Sequence, residues 1–207
     1  MYQTILSDTS LYRLFLKLDA DLAEEARTRR CTCSGALHSA RYRRKPRGVP
    51  DELQEEYSTR HSFCCAEDGC RKRTTPPSFR FLSRRVYVGA VVVLLTALRH
   101  GATPARVAQL RAIVGVSRRT LERWRQWWLR DFVRSAFWQW ASGQLPVPVD
   151  KRTLPLSLLE AFREPTEKGR TVDLLRFILL LTTTSAARNL KVGVLPQRMP
   201  VDPGSRL

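Results

Sequence analysis

The sequence predicts a mostly α protein: a small cysteine-rich unit with short strands, then a three-helix unit and further C-terminal helices. Three observations predict it. Apolar residues recur at helical spacing in the first 27 residues and again after residue 78. The five cysteines fall in two tight groups, RRCTCSG (Cys31, Cys33) and FCCAEDGC (Cys64, Cys65, Cys70). A Gly115-Val116-Ser117 turn then opens a long amphipathic stretch rich in arginine.

In chain order, residues 9–27 read as an amphipathic helix. Leu11, Leu14, Leu18 and Leu22 lie on one face with Phe15 alongside, and Asp19, Asp21, Glu24 and Glu25 line the other side. Residues 1–27 are thus the N-terminal helix and 28–77 the cysteine-rich unit, which ends in the proline break TPPS. Residues 78–141 hold three helices. The first runs from Ser83, a suitable N-cap, to Arg99 and is closed by His100–Gly101. Pro104 opens the second, which stops at Gly115. The third, RRTLERWRQWWLRDFVRSAFWQWA, is expected to be continuous for about two dozen residues. SGQLPVPVD is a loop, and residues 142–186 add the helical stretches LPLSLLEAF and TVDLLRFILLLTT. There Leu174, Leu175, Phe177, Ile178 and Leu181 offer an apolar face for pairing with a second copy or another protein. Residues 187–207, rich in Pro, Gly and Arg, read as a disordered tail.

The cysteines point to a structural metal. Tetrahedral zinc takes four thiolate or imidazole ligands, supplied as close pairs from two turns. Cys31 and Cys33 form one pair, and Cys65 and Cys70 the other, with Gly35 and Gly69 expected to supply backbone freedom. Neither spacing is C-x-x-C. Adjacent strand residues face opposite ways, so only one of Cys64 and Cys65 reaches the metal. Cys65 is favoured, with Cys64 turned into the core beside Phe63. His38 or His61 could replace a thiolate, and cysteines packed as small hydrophobes or acting as redox thiols are the alternatives. Disulfides are disfavoured by an odd cysteine count and a reducing location.

Composition narrows the partners. At 43% hydrophobic the chain can build a core, while a formal charge of +17 favours polyanions. The longest apolar run, Val86 to Leu98, falls well short of the roughly 20 residues a membrane span needs. The acidic N-terminal segment lacks the pattern of a signal peptide, so a cytoplasmic, nucleoid-associated location is expected.

Two short helices joined through Gly115-Val116-Ser117 to a third that begins SRRTLERW match the helix-turn-helix layout. Gly115 makes the turn, Val116 packs beneath it and Ser117 caps the third helix. Leu121, Trp124 and Trp128 should face the other helices, and the tryptophans read as core rather than as stacking platforms. Arg119, Arg123, Gln126 and Arg130 share a second face, and Arg and Gln are the side chains that pair with guanine O6/N7 and adenine N6/N7. From Arg71 to Arg130 there are 14 Lys or Arg against one acid, Glu122, a net of +13. Four residues before the turn glycine, where this motif usually carries alanine, stands Arg111. The candidate contacts to double-stranded DNA are Arg118, Arg119, Arg123, Gln126 and Arg130. Arg43, Arg44 and Lys45 join them from the basic loop that also holds Arg41 and Arg47, and Arg71, Lys72 and Arg73 from beside the last cysteine.

A cysteine pair, then FCC…CRKRT, a hydrophobic helix and GVSRRTLERW resembles the zinc-finger plus helix-turn-helix front of insertion-sequence proteins. It is similar to the small first-frame DNA-binding proteins of such elements and to the N-terminal region of some of their transposases. The resemblance covers roughly residues 28–130. It implies zinc at Cys31, Cys33, Cys65 and Cys70, and DNA reading from Arg118 through Arg130. The implied role is recognition of terminal inverted repeats or repression of the element's promoter, with a transposase or a second copy as partner. A strand-transfer core needs three carboxylates holding two metal ions on a sheet. Asp150, Glu160, Glu164, Glu167 and Asp173 have no strand context, and no Walker loop, nucleophile elbow or H-E-x-x-H is present. The chain is therefore not expected to be an enzyme by itself, at most an accessory part or fragment of one. A transcription regulator unrelated to transposition and an RNA-binding zinc protein are the competing readings.

Overall fold

The structure, a computed structural model, describes residues 5–82, 87–96, 105, 108 and 115–182. Asp8 caps the first helix by accepting the Ser10 N–H at 2.9 Å, and helix α1 runs from Thr9 to Thr28. Its buried side is Leu11, Tyr12, Phe15, Asp19 and Leu22, with Leu14 and Leu18 half-buried. Asp19 was expected on the outer face and is instead 2% exposed. It accepts the Phe79 N–H and the Arg80 Nε–H, each at 2.7 Å, and the Ser78 hydroxyl. A buried charge persists where it is paired and hydrogen-bonded, and this carboxylate is both.

The cysteine-rich segment folds as two small antiparallel pieces. Strand β1 (Leu37–Ser39) pairs with β4 (Phe63–Cys65), which pairs with β5 (Arg73–Thr74), giving the order β1-β4-β5. Strand β2 (Tyr42–Arg43) pairs with β3 (Thr59–Arg60). Between them a 3₁₀ turn at Asp51–Leu53 leads into the short helix α2 (Gln54–Tyr57). Phe63 and Cys65 are buried on one face of β4, while Cys64 faces the other way and is half-buried. The expectation that Cys64 joins Phe63 in the core is therefore corrected by the alternation of the strand itself.

Helix α3 spans Gly89–Thr96 and leaves out Tyr87 and Val88, which the expected helix included. Tyr87 and Val88 are extended bridge residues opposite Arg47 and Phe81, held by Val88 N–H to Arg47 O (3.2 Å) and Gly89 N–H to Arg80 O (2.9 Å). Val91, Val92 and Val93 are all fully buried, so this stretch of the helix faces the core. Ser83, His100–Gly101, Arg111 and the tail from 187 lie outside the described residues, as does most of the helix expected at 104–114, of which 105 and 108 are helical.

The expected two-dozen-residue third helix is divided. Helix α4 (Arg118–Gln126) passes into a π-helical segment (Trp127–Phe132), and helix α5 (Ala136–Ala141) starts afresh. Ser135 makes the break: its hydroxyl donates to Phe132 O at 2.6 Å and accepts the Trp138 N–H at 3.1 Å. Short 3₁₀ turns at Ser142–Gln144 and Lys151–Thr153 lead to α6 (Leu156–Ala161) and α7 (Glu167–Phe177), which continues as a 3₁₀ turn to Thr182. Among the described residues the chain is thus mostly helical with a small sheet.

One core draws on α1, the 49–57 segment, Phe79, Leu82, Val88, Val91, Val92 and Val93, and 116–179, with Trp128, Tyr12, Tyr57, Phe15 and Phe132 among its largest members. Leu174, Leu175 and Ile178, expected as a pairing face, are buried inside it; Phe177 and Leu181 are half-buried against it. A separate small cluster of Ala23, Cys31, Leu37, Phe63 and Cys65 sits under the C-terminal end of α1.

Candidate functional site

The sheet brings the two cysteine groups together. Leu37 pairs with Cys65 across β1 and β4, and Ala66 N–H reaches Ala36 O at 2.9 Å, so the chain leaving Cys33 runs directly beside Cys65. Each group sits in a tight turn. Ser34 N–H donates to Cys31 O (2.8 Å), Cys31 N–H to Gly35 O (3.0 Å), and Cys70 N–H to Glu67 O (3.0 Å). The left-handed backbone of these turns lies at Ser34 (φ 67°) and Arg71 (φ 44°), not at Gly35 or Gly69 as expected. Gly35 serves by close approach instead. A Cβ there would stand 2.9 Å from the Cys65 sulfur and 3.3 Å from that of Cys33.

The Sγ atoms of Cys31, Cys33, Cys65 and Cys70 all lie within 4.8 Å of one another and could hold one metal ion. Cys33 and Cys65 are 3.4 Å apart, and Cys31 and Cys70 3.7 Å. Cys64 stays out, donating to Arg71 O at 3.4 Å, and His38 shares its side of the sheet as its cross-strand neighbour. The thiols are electrically unequal. The Cys33 backbone N–H pulls the Cys31 thiol down to about 6, whereas burial pushes Cys65 up to about 12. The Lys72 N–H draws Cys70 downward, but the neighbouring Cys33 and Cys31 thiols outweigh it and raise it. Like charges this close cannot all ionise alone, so the four-thiolate state calls for a cation among them.

The candidate DNA contacts form two groups, exposed except for Arg44. Ser117 caps α4 by accepting the Thr120 N–H at 3.3 Å, Gly115 is left-handed (φ 65°), and Val116 is fully buried. Leu121, Trp124 and Trp128 are turned into the core, and Trp127 is half-buried. Arg118, Arg119, Arg123 and Gln126 are exposed; Arg118 pairs with Glu122 at 2.9 Å, and Arg123 donates to the Thr120 hydroxyl at 3.3 Å. Arg130 is exposed too but lies beyond α4, in the π-helical segment.

The second group surrounds the cysteines. Arg71, Lys72 and Arg73 are exposed, Arg71 pairing with Asp68 and Lys72 reaching the Thr32 hydroxyl at 3.3 Å. Arg43 and Lys45 are exposed, whereas Arg44 is half-buried with its guanidinium 5.5 Å from the centre of the Phe81 ring. Among the described residues, two arginines are buried. Arg80 (1% exposed) meets Asp19, and Arg60 (3%) donates to the carbonyls of Pro76 (3.3 Å) and Thr182 (3.1 Å). Neither burial was visible in the residue pattern. Of the carboxylates weighed for catalysis, Asp150 pairs with Arg152 at 3.1 Å and Asp173 with Arg176 at 3.0 Å.

No family model, no curated protein and no solved structure matches this chain. Among the described residues, no helix is long and apolar enough to cross a membrane.

Proposed function

We propose that this chain is a zinc-stapled, sequence-specific binder of double-stranded DNA belonging to a mobile element, where it recognises terminal inverted repeats or the element's promoter. The observation that carries the reading is the face of α4. Directly after a left-handed glycine and a serine cap, Arg119, Arg123 and Gln126 project outward while Leu121 and Trp124 anchor the helix from behind. A rigid helix with that outer face suits base edges in a major groove. Zinc is the metal proposed for the thiols, because four thiolates about 2.3 Å from a tetrahedral zinc stand about 3.8 Å apart. Two of the six separations, 3.4 and 3.7 Å, are close to that edge, and all six are within 4.8 Å. The ion would tie the 31–35 turn to the 65–70 turn and hold the neighbouring basic residues in place; chemistry on DNA is left to another protein. Burial of Trp124 and Trp128 removes two stacking surfaces that an RNA-binding reading would use.

The test is retention of DNA flanking the gene, competed with random duplex across a salt series. Footprints on short inverted repeats support the mobile-element role. A footprint confined to an unrelated promoter supports an ordinary regulator, and equal affinity for all duplexes removes sequence specificity.

A further inference from the structure

We infer that the extended segment from Arg41 to Arg47 is a phosphate rail, gripping one strand of the same duplex that α4 reads. This rests on the DNA-binding reading above and adds a second, sequence-independent contact with its own residues.

The segment is locked straight on one side. Ala40 N–H donates to Ser62 O at 2.8 Å, Tyr42 pairs with Arg60, Arg43 with Thr59, and Arg44 N–H reaches Ser58 O at 2.6 Å. Beyond the ladder, Arg47 O takes the Val88 N–H, and Gly48 lies so close to Val91 that a Cβ would stand 2.7 Å from its side chain. Extended backbone sends alternate side chains to opposite sides. Tyr42, Arg44, Pro46 and Gly48 are half-buried, while Arg41, Arg43, Lys45 and Arg47 are all exposed. None of these four carries an ion pair with an acid among the described residues. The row spans about 20 Å at the usual rise of an extended chain.

The rail is joined to α4 by one side chain. Arg47 lies over the Tyr87 ring, 5.9 Å from its centre. The Tyr87 hydroxyl donates to Gly115 O at 3.0 Å, and its ring meets Trp124 edge-on at 4.8 Å. The far end of the rail therefore abuts the turn that starts the proposed reading helix. Fixed in this way, the two groups of cations can engage one polyanion together. Arg44 is assigned to the fold instead because it is half-buried against Phe81, whereas Arg47 stays exposed beside Tyr87.

The experiment is the salt dependence of binding to a random-sequence duplex by the zinc-loaded chain, with oligo-dT and single-stranded RNA as comparison probes. Each lost phosphate contact removes about 0.9 from the slope of log K against log salt. Alanine at Arg41, Arg43, Lys45 and Arg47 together should lower the slope by about 3 to 4, an approximately hundred-fold weaker response between 50 and 200 mM salt. Arg44→Ala should leave the slope unchanged and lower the melting temperature. Should the quadruple variant fail to fold, Arg41→Ala and Lys45→Ala decide singly, each expected to remove about 0.9. An unchanged slope in a folded variant whose parent binds duplex overturns the rail but leaves the α4 reading standing. A parent with no affinity for duplex removes both. Preference for a single-stranded probe, with losses nearer 0.7 per residue, overturns the duplex assignment.

Discussion

Replacing Asp19 by Asn keeps the shape of the side chain and changes what its oxygens can do. One carboxylate oxygen accepts from both Ser78 and Arg80, and the other from the Phe79 N–H. An asparagine can put its carbonyl at only one of these places. With the oxygen toward Arg80, the amide N–H₂ faces the Phe79 N–H, and two donors confront each other. Arg80 then keeps its bond to Glu56 O at 3.1 Å and its place over Tyr57 and Phe81, but loses its counter-charge. Both partners are 2% exposed at the side chain, so solvent offers no relief. Removing one member of a buried pair costs about 3–5 kcal/mol, and that is the expected loss for Asp19→Asn. Urea unfolding of the metal-loaded protein, followed by tryptophan fluorescence, measures it. Joining Asp19→Leu to Arg80→Met removes both charges, and the double variant should cost about 1–3 kcal/mol less than the two singles added together. A single variant within about 0.5 kcal/mol of the parent, or strict additivity in the pair, would refute the argument.

Four shorter tests follow from the site. Cys70→Ser should abolish stoichiometric metal in elemental analysis and loosen residues 28–75 to proteolysis, whereas Cys64→Ser should retain the metal, because Cys64 faces away from the other four sulfurs. Gly35→Ala should weaken metal retention against a chelator about tenfold or more, since the new methyl meets the Cys65 and Cys33 sulfurs. Burial, helped by the Arg80 and Arg41 cations and opposed by Asp19, holds His61 below its ordinary 6.5. The unfolded chain then takes that proton first, so the stability is whole above pH 6.5 and is lost as pH falls through the depressed native value. His61→Gln should flatten urea midpoints measured from pH 8 to 5. Arg123→Ala should cost about 1–3 kcal/mol at a cognate site and relax base preference there; equal loss on random DNA would mark a phosphate contact.

What the sequence made legible was local. The pairing of Cys31 and Cys33 with Cys65 and Cys70 follows from short spacings and strand alternation, and the four sulfurs do converge. The same alternation places Phe63 with Cys65, which the expectation of a core Cys64 overlooked. Asp19 looked like an outer-face acid because its partner, Arg80, is 61 residues away, and nothing in a helical pattern marks such a tie. Ser135 is a good N-cap, yet the apolar periodicity running across it suggested one helix. Arg44 and Lys45 are equivalent in the sequence. They separate only once the ladder to residues 58–60 makes the segment extended and sends neighbours to opposite sides.

The Thr182 bonds set an order on how this molecule can be made. Arg60 waits for a carbonyl 122 residues downstream, and Ser78 for a hydroxyl 104 residues downstream. The sulfur cluster and its small core need nothing beyond residue 74. On a ribosome emitting residues one at a time, metal can therefore be captured while most of the helical part is still unborn. The buried guanidinium of Arg60 must then stay wet until the turn at Thr182 arrives. A translational pause between these two points would leave a loaded cysteine unit tethered to an unfinished, apolar and aggregation-prone chain.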